Sequence, residues 1–423
     1  HPEPWWSAVC PCTAEVVAQV RPRSVGALSV TATSGTLVLT DDDLVPLRPA
    51  IMWNDKRAQP QAADLSRALD DPAIRPGFTA AKALWVRAQE PELWNRVRWV
   101  LSAGDWLLAR LALPGATPVT DYTNGLKLGL DLETLVWPKA LSELGLASPL
   151  LPTVAAPGSA LGVVDPVFAA VVGIGPDTSV RLGVTDATAA QIAAGAVRPG
   201  DAVTTIGTGL SIKAVSRARL RDDSGALYAH RHWDSGWIVS GTSHCGGDSI
   251  SHHFPGQDWD ALTSARDTPS SLLVLPLATV GEYFPFRAPQ ARGFEVGAPE
   301  DDADRFRGYL EGVAHVERLS LDLMAEAGAA VTGPQLTMGG GSANDTWMIV
   351  RASILGRPTA RPAATSSAFG AAVVAAAIDG DITAAAQHLV RRAATFDPDP
   401  HLAEQAAHSH ERFLAELTTR GYL

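Results

Sequence analysis

The stretch SVRLGVTDATAAQIAAGAV, residues 179–197, joins two different periodicities at a single carboxylate. Val180, Leu182 and Val184 alternate with other residues, which predicts a buried strand, and the alanine-rich run after Asp186 predicts a helix. Aspartate at such a junction is commonly a helix N-cap. A carboxylate there can also accept a proton from a substrate hydroxyl as a general base. The small alanine side chains leave room for another surface or a substrate to approach.

The bulk composition describes an ordinary globular protein with two domains. The chain has 423 residues, of which 46% are hydrophobic and 19% charged, and its length exceeds that of a usual single domain. The formal net charge of −11, without a visible stripe of Lys or Arg, argues against nucleic acid or an anionic membrane as partner. No apolar run approaches the length of a membrane span.

The cysteines and histidines predict neither a disulfide framework nor a metal site. The cysteine count is odd and contains no CxxC pair, so we expect a cytoplasmic protein. His244, Cys245, His252 and His253 lie close together in the sequence, but their spacing lacks a partner cysteine pair or an HExxH pattern. We therefore predict no metal-ligating residues in the chain.

Strands and helices alternate twice along the chain, in two halves of comparable size, which predicts two α/β domains with a central cleft. Residues 118–138 are polar and rich in glycine, and we interpret them as a surface loop with short strands. HPEPWWSAV, residues 1–9, already resembles the start of a helix. We therefore expect that a further segment precedes these residues.

Two glycine-rich motifs are candidate nucleotide-binding loops. In TIGTGLS, residues 205–211, the Gly207-Thr208-Gly209 turn can adopt positive φ and direct N–H groups towards an anion, although most such turns are plain hairpin turns.

In TMGGGSANDTW, residues 337–347, Gly340 and Gly341 can bring bare backbone against a phosphate or a flat ring. Asn344 and Trp347 could add an amide and an apolar wall. The alternative is a glycine loop that serves only close packing.

The order of these blocks resembles that of the FGGY carbohydrate kinases, a family of the actin-like ATPase superfamily. The resemblance extends over nearly the whole chain and is carried by collinear blocks: HPEPWWSAV, TATSGTLVLTDDD, LRPAIMWNDKRA, GDWLLARLA, TDYTNGLKLGLD, GVTDATAAQIAAGAVRPGDAVTTIGTG, LEGVAHVERLSLDLM, and MGGGSANDTWMIVRASILGRP followed by SSAFGAA. It implies two actin-like, ribonuclease H-like α/β domains.

The resemblance also implies how the chain is divided. Residues 1–193 would be the N-terminal sugar-binding domain, without its first strand hairpin, and residues 194–382 the C-terminal nucleotide-binding domain. The helices of residues 383–423 would pack back on the first domain. Sugar and ATP would be the small-molecule partners, and a homodimer is a possible assembly.

In that family the aspartate of the G-x-x-D-x-x-A-A block is the catalytic base, which falls here on Asp186. By the same resemblance, the chain would use ATP with Mg²⁺. The ATP-binding residues would be those of the two glycine motifs: Gly207, Thr208 and Gly209 around the phosphates, and Gly340, Gly341, Asn344 and Trp347 near the base and the ribose.

The resemblance leaves the sugar open. The WND sequence of residues 53–55 and Arg57 resemble the xylulokinase version of the sugar site, but Thr33-Ser34-Gly35 stands where xylulokinases carry Gln-Met-His. This turn and the short length resemble the D-ribulokinase-like branch, in which Ser34 would contact the ketopentose beside Asp186. We therefore predict D-ribulose as substrate, with D-xylulose or another ketose or polyol as alternatives.

Two departures from the family pattern bear on activity. Tyr283 replaces the arginine of a block usually written G-E-R-x-P-F. The family's first phosphate loop, D-x-G-T-[ST], does not occur before residue 30, as expected if a segment upstream is missing or the form is truncated. The second case motivates another class of function, a catalytically silent protein that binds sugar or nucleotide.

Overall fold

A computed structural model describes residues 1–20, 25–113, 115–220 and 225–423. Among these residues no helix combines the length and the apolar character needed to cross a membrane. The helices are α1 (Glu3–Val17), α2 (Gln59–Leu69), α3 (Thr79–Gln89), α4 (Pro91–Trp94), α5 (Ala103–Leu111), α6 (Tyr122–Leu128), α7 (Lys139–Glu143), α8 (Pro166–Val172), α9 (Asp186–Ala194), α10 (Gly247–His253), α11 (Trp259–Ser264), α12 (Asp302–Glu326), α13 (Asp345–Leu355), α14 (Ser367–Ala375), α15 (Ile382–Leu389) and α16 (Pro400–Thr419).

The strands are short, and most of them belong to one large sheet and one small one. They are β1 (Ala27–Ala32), β2 (Leu37–Thr40), β3 (Trp99–Ser102), β4 (Val119–Thr120), β5 (Thr153–Val154), β6 (Ala160–Val163), β7 (Ser179–Thr185), β8 (Ala202–Ile206), β9 (Leu210–Ser216), β10 (Tyr228–Arg231), β11 (Trp237–Ser243), β12 (Leu273–Leu275), β13 (Phe294–Val296), β14 (Gln335–Met338), β15 (Thr359–Pro362) and β16 (Arg392–Phe396).

The chain folds into two compact units, and each unit draws on three separate stretches of sequence. The first unit comprises His1–Ala193, His230–Asp234 and Ser366–Leu389. The second comprises Ala194–Ala229, Ser235–Thr365 and Val390–Leu423. The chain therefore enters and leaves each unit more than once.

In the first unit, β7 lies at the centre of a three-stranded sheet, parallel to β1 and antiparallel to β6. Val180, Leu182 and Val184 are buried, because the strand has neighbours on both edges and α5 and α14 pack against it. Helix α9 follows β7 without a break. The predicted strand and helix on either side of the Thr185–Asp186 bond are thus confirmed.

The alanines of α9 make room for another helix of the same unit. Ala189 and Ala193 are fully buried, and Gly370 of α14 lies so close that a Cβ atom there would fall 1.9 Å from the Ala189 carbonyl oxygen. Larger side chains on α9 or α14 would force these two helices apart. Of the two possibilities that the sequence left open, another surface or a substrate, the structure shows the first at Ala189, where α14 packs. Ala187, next to Asp186, is exposed.

The interpretation of residues 118–138 as a loop with short strands is wrong for its central part, which is helix α6. Asp121 caps the helix by accepting a hydrogen bond from the Thr123 N–H at 2.7 Å, and Gly129 ends it with φ of +90°. Within the helix, Gly125 packs against Leu130. The glycines that suggested a loop are therefore a packing position and a C-terminal cap.

The second unit is built on a seven-stranded sheet with the order β10-β11-β9-β8-β14-β15-β16. Its central strands β8, β14 and β15 are parallel, while β9 and β11 extend one side as antiparallel strands. Helices α12 and α13 pack against each other and cover buried side chains of this sheet. Both predicted glycine motifs follow directly on central strands, Gly207 after β8 and Gly339 after β14.

A fully buried ion pair joins these strands to the helices. Arg351 of α13 donates two hydrogen bonds to the Glu317 carboxylate of α12, from Nε at 2.7 Å and from Nη2 at 2.6 Å. Glu317 also accepts from the Thr204 hydroxyl of β8 at 2.5 Å, and Arg351 donates to the Thr337 hydroxyl of β14 at 2.9 Å. Every member of the network has a charged or hydroxyl partner, as burial of an ion pair requires.

The two C-terminal helices belong to different units, which differs from the prediction for one of them. Helix α15 belongs to the first unit, but α16 packs on α13 within the second unit. Ala406, Phe413 and Leu417 of α16 lie in the main hydrophobic core of the second unit. The expectation that both helices pack back on the first domain is corrected for α16, because its apolar face is buried against its own unit.

Two buried histidines fasten α16 to α12. The Nδ1 atoms of His315 and His410 are 3.2 Å apart, and both rings stack on Phe413. Burial lowers the pKa of His315 to about 3, helped by the neighbouring His410, and lowers that of His410 to about 4. A hydrogen bond between two Nδ1 atoms needs one of them unprotonated, so the contact is lost when both rings are protonated.

We predict that this contact makes the protein acid-sensitive. The unfolded chain protonates these histidines near their ordinary pKa of 6.5, before the folded protein does, so the free energy of unfolding falls as the pH drops from about 6.5 towards 4. In His410→Gln, denaturant titrations at several pH values should show this fall reduced by about 2 kcal/mol. His408→Gln, at an exposed site of α16, should retain the full fall. An unchanged pH dependence in His410→Gln would contradict the prediction.

Candidate functional site

In the first unit, the predicted sugar-site residue Ser34 lies in a tight turn between β1 and β2. Gly35 has φ of +93°, and the hydroxyls of Thr33 and Thr36 are 3.1 Å apart across the turn. The carbonyl oxygen of Ser34 accepts a hydrogen bond from Nζ of Lys127 at 3.2 Å. The turn is therefore held from a neighbouring helix through its backbone, which leaves the Ser34 side chain out of that contact.

A second lysine, Lys82, holds the same turn, and its surroundings give it a purely structural role. The Lys82 side chain is fully buried, and Nζ donates to three carbonyl oxygens: Gly35 at 2.9 Å, Met52 at 2.7 Å and Gly77 at 3.2 Å. Burial lowers the pKa of Lys82 to about 8, with the charge of Lys127 acting in the same direction. Its three donors are all used by the backbone.

The carboxylate of Asp186 is partly exposed at the start of α9. One oxygen accepts a hydrogen bond from the N–H of the next residue, Ala187, at 2.7 Å. A capping side chain would accept from an N–H two or three residues further along, so this contact is not an N-cap. The sequence left two interpretations of Asp186 open, a helix cap and a general base. The geometry of this contact excludes the helix cap.

Helix α6 is tied to the strand end that carries Asp186. The Thr123 hydroxyl accepts a hydrogen bond from the Thr185 N–H at 2.9 Å and donates to Asp121 at 2.5 Å. Lys127 lies in the last turn of α6, where burial lowers its pKa and the negative charge of Asp186 opposes that shift. Lys127 thus connects the two predicted sugar-site residues, by a hydrogen bond to the Ser34 carbonyl and electrostatically to Asp186.

The WND segment contributes an ion pair and an exposed ring. Arg57 binds the Asp55 carboxylate with Nε at 3.0 Å and Nη2 at 2.7 Å, and this contact lowers the pKa of Asp55. The Arg57 guanidinium also lies over the ring of Trp85, 5.0 Å from its centre. Trp53 is half exposed. The aspartate and arginine therefore engage each other in this structure.

In the second unit, Gly207, Thr208 and Gly209 form the turn between β8 and β9. Gly207 and Thr208 are exposed, and the turn closes with a hydrogen bond from the Gly207 N–H to the Gly209 carbonyl at 3.0 Å. Neither glycine has positive φ, so the prediction of positive φ in this turn is wrong. Gly209 is needed for close approach instead, since a Cβ there would fall 2.5 Å from the Ser243 carbonyl oxygen.

A glycine pair that the sequence analysis did not single out packs on this turn. A Cβ atom on Gly246 would fall 2.4 Å from the carbonyl carbon of Gly209, and one on Gly247 would fall 2.6 Å from the Gly207 carbonyl oxygen. The Gly247 N–H donates to that same oxygen at 2.8 Å, and the Asp248 N–H donates to the Thr208 carbonyl at 2.9 Å. The signal in the sequence was the adjacent pair of glycines after a strand.

The glycine segment of residues 339–341 meets the Gly207–Gly209 turn at Ile206. Gly339 has φ of +83°, and a Cβ there would fall 2.2 Å from the Ile206 carbonyl oxygen. Gly340 is exposed with open space beside it, and Gly341 packs between the side chains of Ile206 and Trp347. Three glycine segments thus converge on the ends of β8 and β14.

Trp347 and Asn344 support this surface from behind. Trp347 is only 2% exposed, and its indole Nε1 donates to the Leu310 carbonyl at 3.1 Å. The prediction of Trp347 as a wall beside the adenine or ribose is corrected, because the ring lies in the core beneath Gly341. Asn344 caps α13 by accepting from the Trp347 N–H at 2.8 Å, and its amide nitrogen donates to Thr263 at 3.2 Å.

A buried carboxylate fixes the segment that leads into the glycine pair. Glu282 has no exposed surface and accepts hydrogen bonds from the Ser243 hydroxyl at 2.6 Å, the His244 N–H at 3.1 Å and the Tyr283 N–H at 2.9 Å. Together with the neighbouring Glu282 carboxylate, burial raises the pKa of the Cys245 thiol. Tyr283, in the place of the family's arginine, is half exposed.

The two units offer different chemistry. The first presents a carboxylate, an ammonium group and a turn, all suited to a polyhydroxylated ligand. The second presents exposed backbone at Gly207, Thr208 and Gly340, where main-chain groups can contact phosphate oxygens. Glycine at positions 207 and 340 lets a ligand approach the main chain directly.

Comparison with known proteins assigns a family to both halves of the chain. The model of the N-terminal domain of the FGGY family of carbohydrate kinases matches residues 1–193, and that of the C-terminal domain matches residues 202–378. The chain is 27% identical to the xylulose kinase of Bacillus subtilis (strain 168), covering 94% of this chain and 84% of that one. It is 30% identical to the xylulose kinase of Streptomyces coelicolor, covering 89% and 79%.

Solved structures agree with the sequence relatives. The crystal structure of xylulose kinase from Rhodospirillum rubrum aligns with a TM-score of 0.83 at 26% identity, covering 99% of this chain and 90% of that one. The two-domain α/β fold implied by the resemblance is confirmed. The chain belongs to the FGGY family of carbohydrate kinases and is a sugar kinase, in a family that uses ATP as substrate.

Proposed function

We propose that the enzyme transfers the γ-phosphate of ATP to a terminal hydroxyl of a ketopentose, with D-xylulose as preferred substrate. The observation that carries the proposal is the group formed in the first unit by Ser34, Lys127 and Asp186, whose carboxylate does not cap the helix. The names of the relatives reported above favour D-xylulose over D-ribulose. The Thr33-Ser34-Gly35 turn keeps D-ribulose as the second candidate, because it differs from the xylulokinase pattern.

Asp186 would act as the general base. Its carboxylate accepts the proton of the terminal hydroxyl while that oxygen bonds to the γ-phosphorus and the bond to the ADP oxygen breaks. The backbone of the Gly207–Gly209 turn and of the glycine segment after β14 would contact the phosphates, with Gly207, Thr208, Gly209, Gly340 and Gly341 as the contact residues. Positioning and charge stabilisation supply most of the catalysis in such a transfer.

Mg²⁺ would accompany the nucleotide and neutralise charge that develops on the phosphates. Within residues 1–20, 25–113, 115–220 and 225–423, no group of three or more His, Cys, Asp or Glu side chains is arranged to hold a metal ion. This fits a cation held largely by phosphate oxygens and water, as is usual for Mg²⁺ in kinases. Asn344 and Trp347 would contribute by supporting Gly341 rather than by touching the nucleotide.

The proposed function is tested with a panel of sugars. The protein is incubated with ATP, Mg²⁺ and each of D-xylulose, D-ribulose, other ketoses and polyols, and ADP release is followed by a coupled assay. We expect the highest kcat/KM with D-xylulose. A higher value with D-ribulose would restore that sugar as substrate, and absence of sugar-dependent ADP release with every ketopentose would contradict the proposed function.

We predict that Asp186→Asn lowers kcat by about 100- to 10,000-fold, because the variant cannot accept the hydroxyl proton. Its thermal unfolding temperature and its binding of ATP should match those of the unmodified protein, since the carboxylate bonds only locally to Ala187. Asp177→Asn, at an exposed position before β7, serves as the control and should keep normal activity. Near-normal kcat in Asp186→Asn would refute the assignment of the base.

We also predict that Gly246→Ala raises the KM for ATP by about 10-fold or more, because the new Cβ displaces the backbone of Gly209. The affinity for the sugar, measured by calorimetry without nucleotide, should stay unchanged. Gly333→Ala places a Cβ no closer than 3.9 Å to a neighbour and is the matched control in the same unit. If both alanine variants showed the same KM for ATP, the glycine pair would have no part in nucleotide binding.

A further inference from the structure

Two lysines hold the Ser34–Gly35 turn, and they differ in how many of their N–H donors bond to the protein. Lys82 gives its three N–H donors to three backbone carbonyls and has no exposed surface. Lys127 makes one hydrogen bond within the described parts of the chain, to the Ser34 carbonyl, and its side chain is only partly buried. An ammonium group has three donors, so two of those on Lys127 remain for another partner.

Lys127 is positioned by contacts with the residues of the predicted sugar site. Its Nζ bonds to the Ser34 carbonyl and lies 3.3 Å from where a Cβ of Gly35 would be. The negative charge of Asp186 also acts on the ammonium group. Helix α6, which carries Lys127, is fastened to the residue before Asp186 by the bond from the Thr185 N–H to Thr123.

A lysine that only supported a turn would be expected to use its donors as Lys82 does. Burying an ammonium group without a full set of partners is costly, and the lowered pKa of Lys127 expresses that cost. Hydroxyl or carbonyl oxygens of a sugar beside Asp186 would supply the partners that the protein leaves out.

We propose that Lys127 is a substrate-binding residue that donates hydrogen bonds to oxygen atoms of the ketopentose held beside Asp186. The inference rests on the proposed function and adds to it a positively charged contact that selects the sugar. The ammonium group orients the substrate and transfers no proton. Its charge also offsets that of Asp186, so the two side chains together present no net charge to a neutral, oxygen-rich ligand.

The test compares Lys127→Met with Lys139→Met. Both changes remove one positive charge from the first unit, but Lys139 is exposed at the start of α7. The kinetic constants for the best sugar of the panel and for ATP are measured for both variants and for Lys127→Arg, together with their unfolding temperatures. We expect Lys127→Met to lower kcat/KM for the sugar by about 10- to 100-fold with the KM for ATP unchanged, and Lys127→Arg to recover part of the loss.

A second measurement separates contact with the sugar from support of the turn. The unmodified protein and Lys127→Met are assayed with substrate analogues that each lack one oxygen but keep the terminal hydroxyl. If Lys127 binds the sugar, one analogue gives the same kcat/KM with both proteins, because the contact is already lost. If the factor between the two proteins is the same for every analogue, Lys127 acts only on the turn and the proposal is overturned.

The remaining outcomes distinguish this inference from the function on which it rests. An unmodified protein that phosphorylates no ketopentose would overturn both. An active unmodified protein matched by Lys127→Met in kcat/KM for the sugar would overturn the inference alone and leave the kinase assignment and the role of Asp186 in place.

Discussion

The buried pair of Glu317 and Arg351 is the interaction on which the second unit depends. Two charges without exposed surface are stable in a core only when each has several partners, and here hydroxyls of β8 and β14 complete the set. Those two strands lead directly into Gly207 and Gly339. The network therefore sets the positions from which both glycine segments start, and removal of either charge would leave the other unpaired in the core.

The first unit fixes its loops by a different means. Lys82 and Lys127 bind carbonyl oxygens of the turn that follows β1, so the turn is held through its main chain in addition to the contact between the Thr33 and Thr36 hydroxyls. Backbone anchoring leaves the Ser34 side chain out of both lysine contacts. Specificity can then change at the turn without a change in the scaffold that presents it.

The parts of the fold that could be predicted from the sequence are those with strong local periodicity. The alternation before Asp186 and the alanine run after it gave the correct strand and helix, and the glycine motifs were correctly attached to strand ends. The errors arose in two places: residues 122–128 form a helix because Asp121 and Gly129 cap it, and Trp347 is buried because Gly341 makes room for its ring. Lys127 was missed because its segment was interpreted as a loop.

The chain passes repeatedly between its two units. This affects how the protein folds during translation and where it can be divided into fragments. The helix that packs against the alanines behind Asp186 comes from residues 367–375, far beyond the strand it supports. On the ribosome, the first unit cannot complete its core until residues 366–389 have emerged. A fragment ending at residue 193 would expose the tightly packed face of α9, so the conventional boundary between the two family domains is no place to cut this protein.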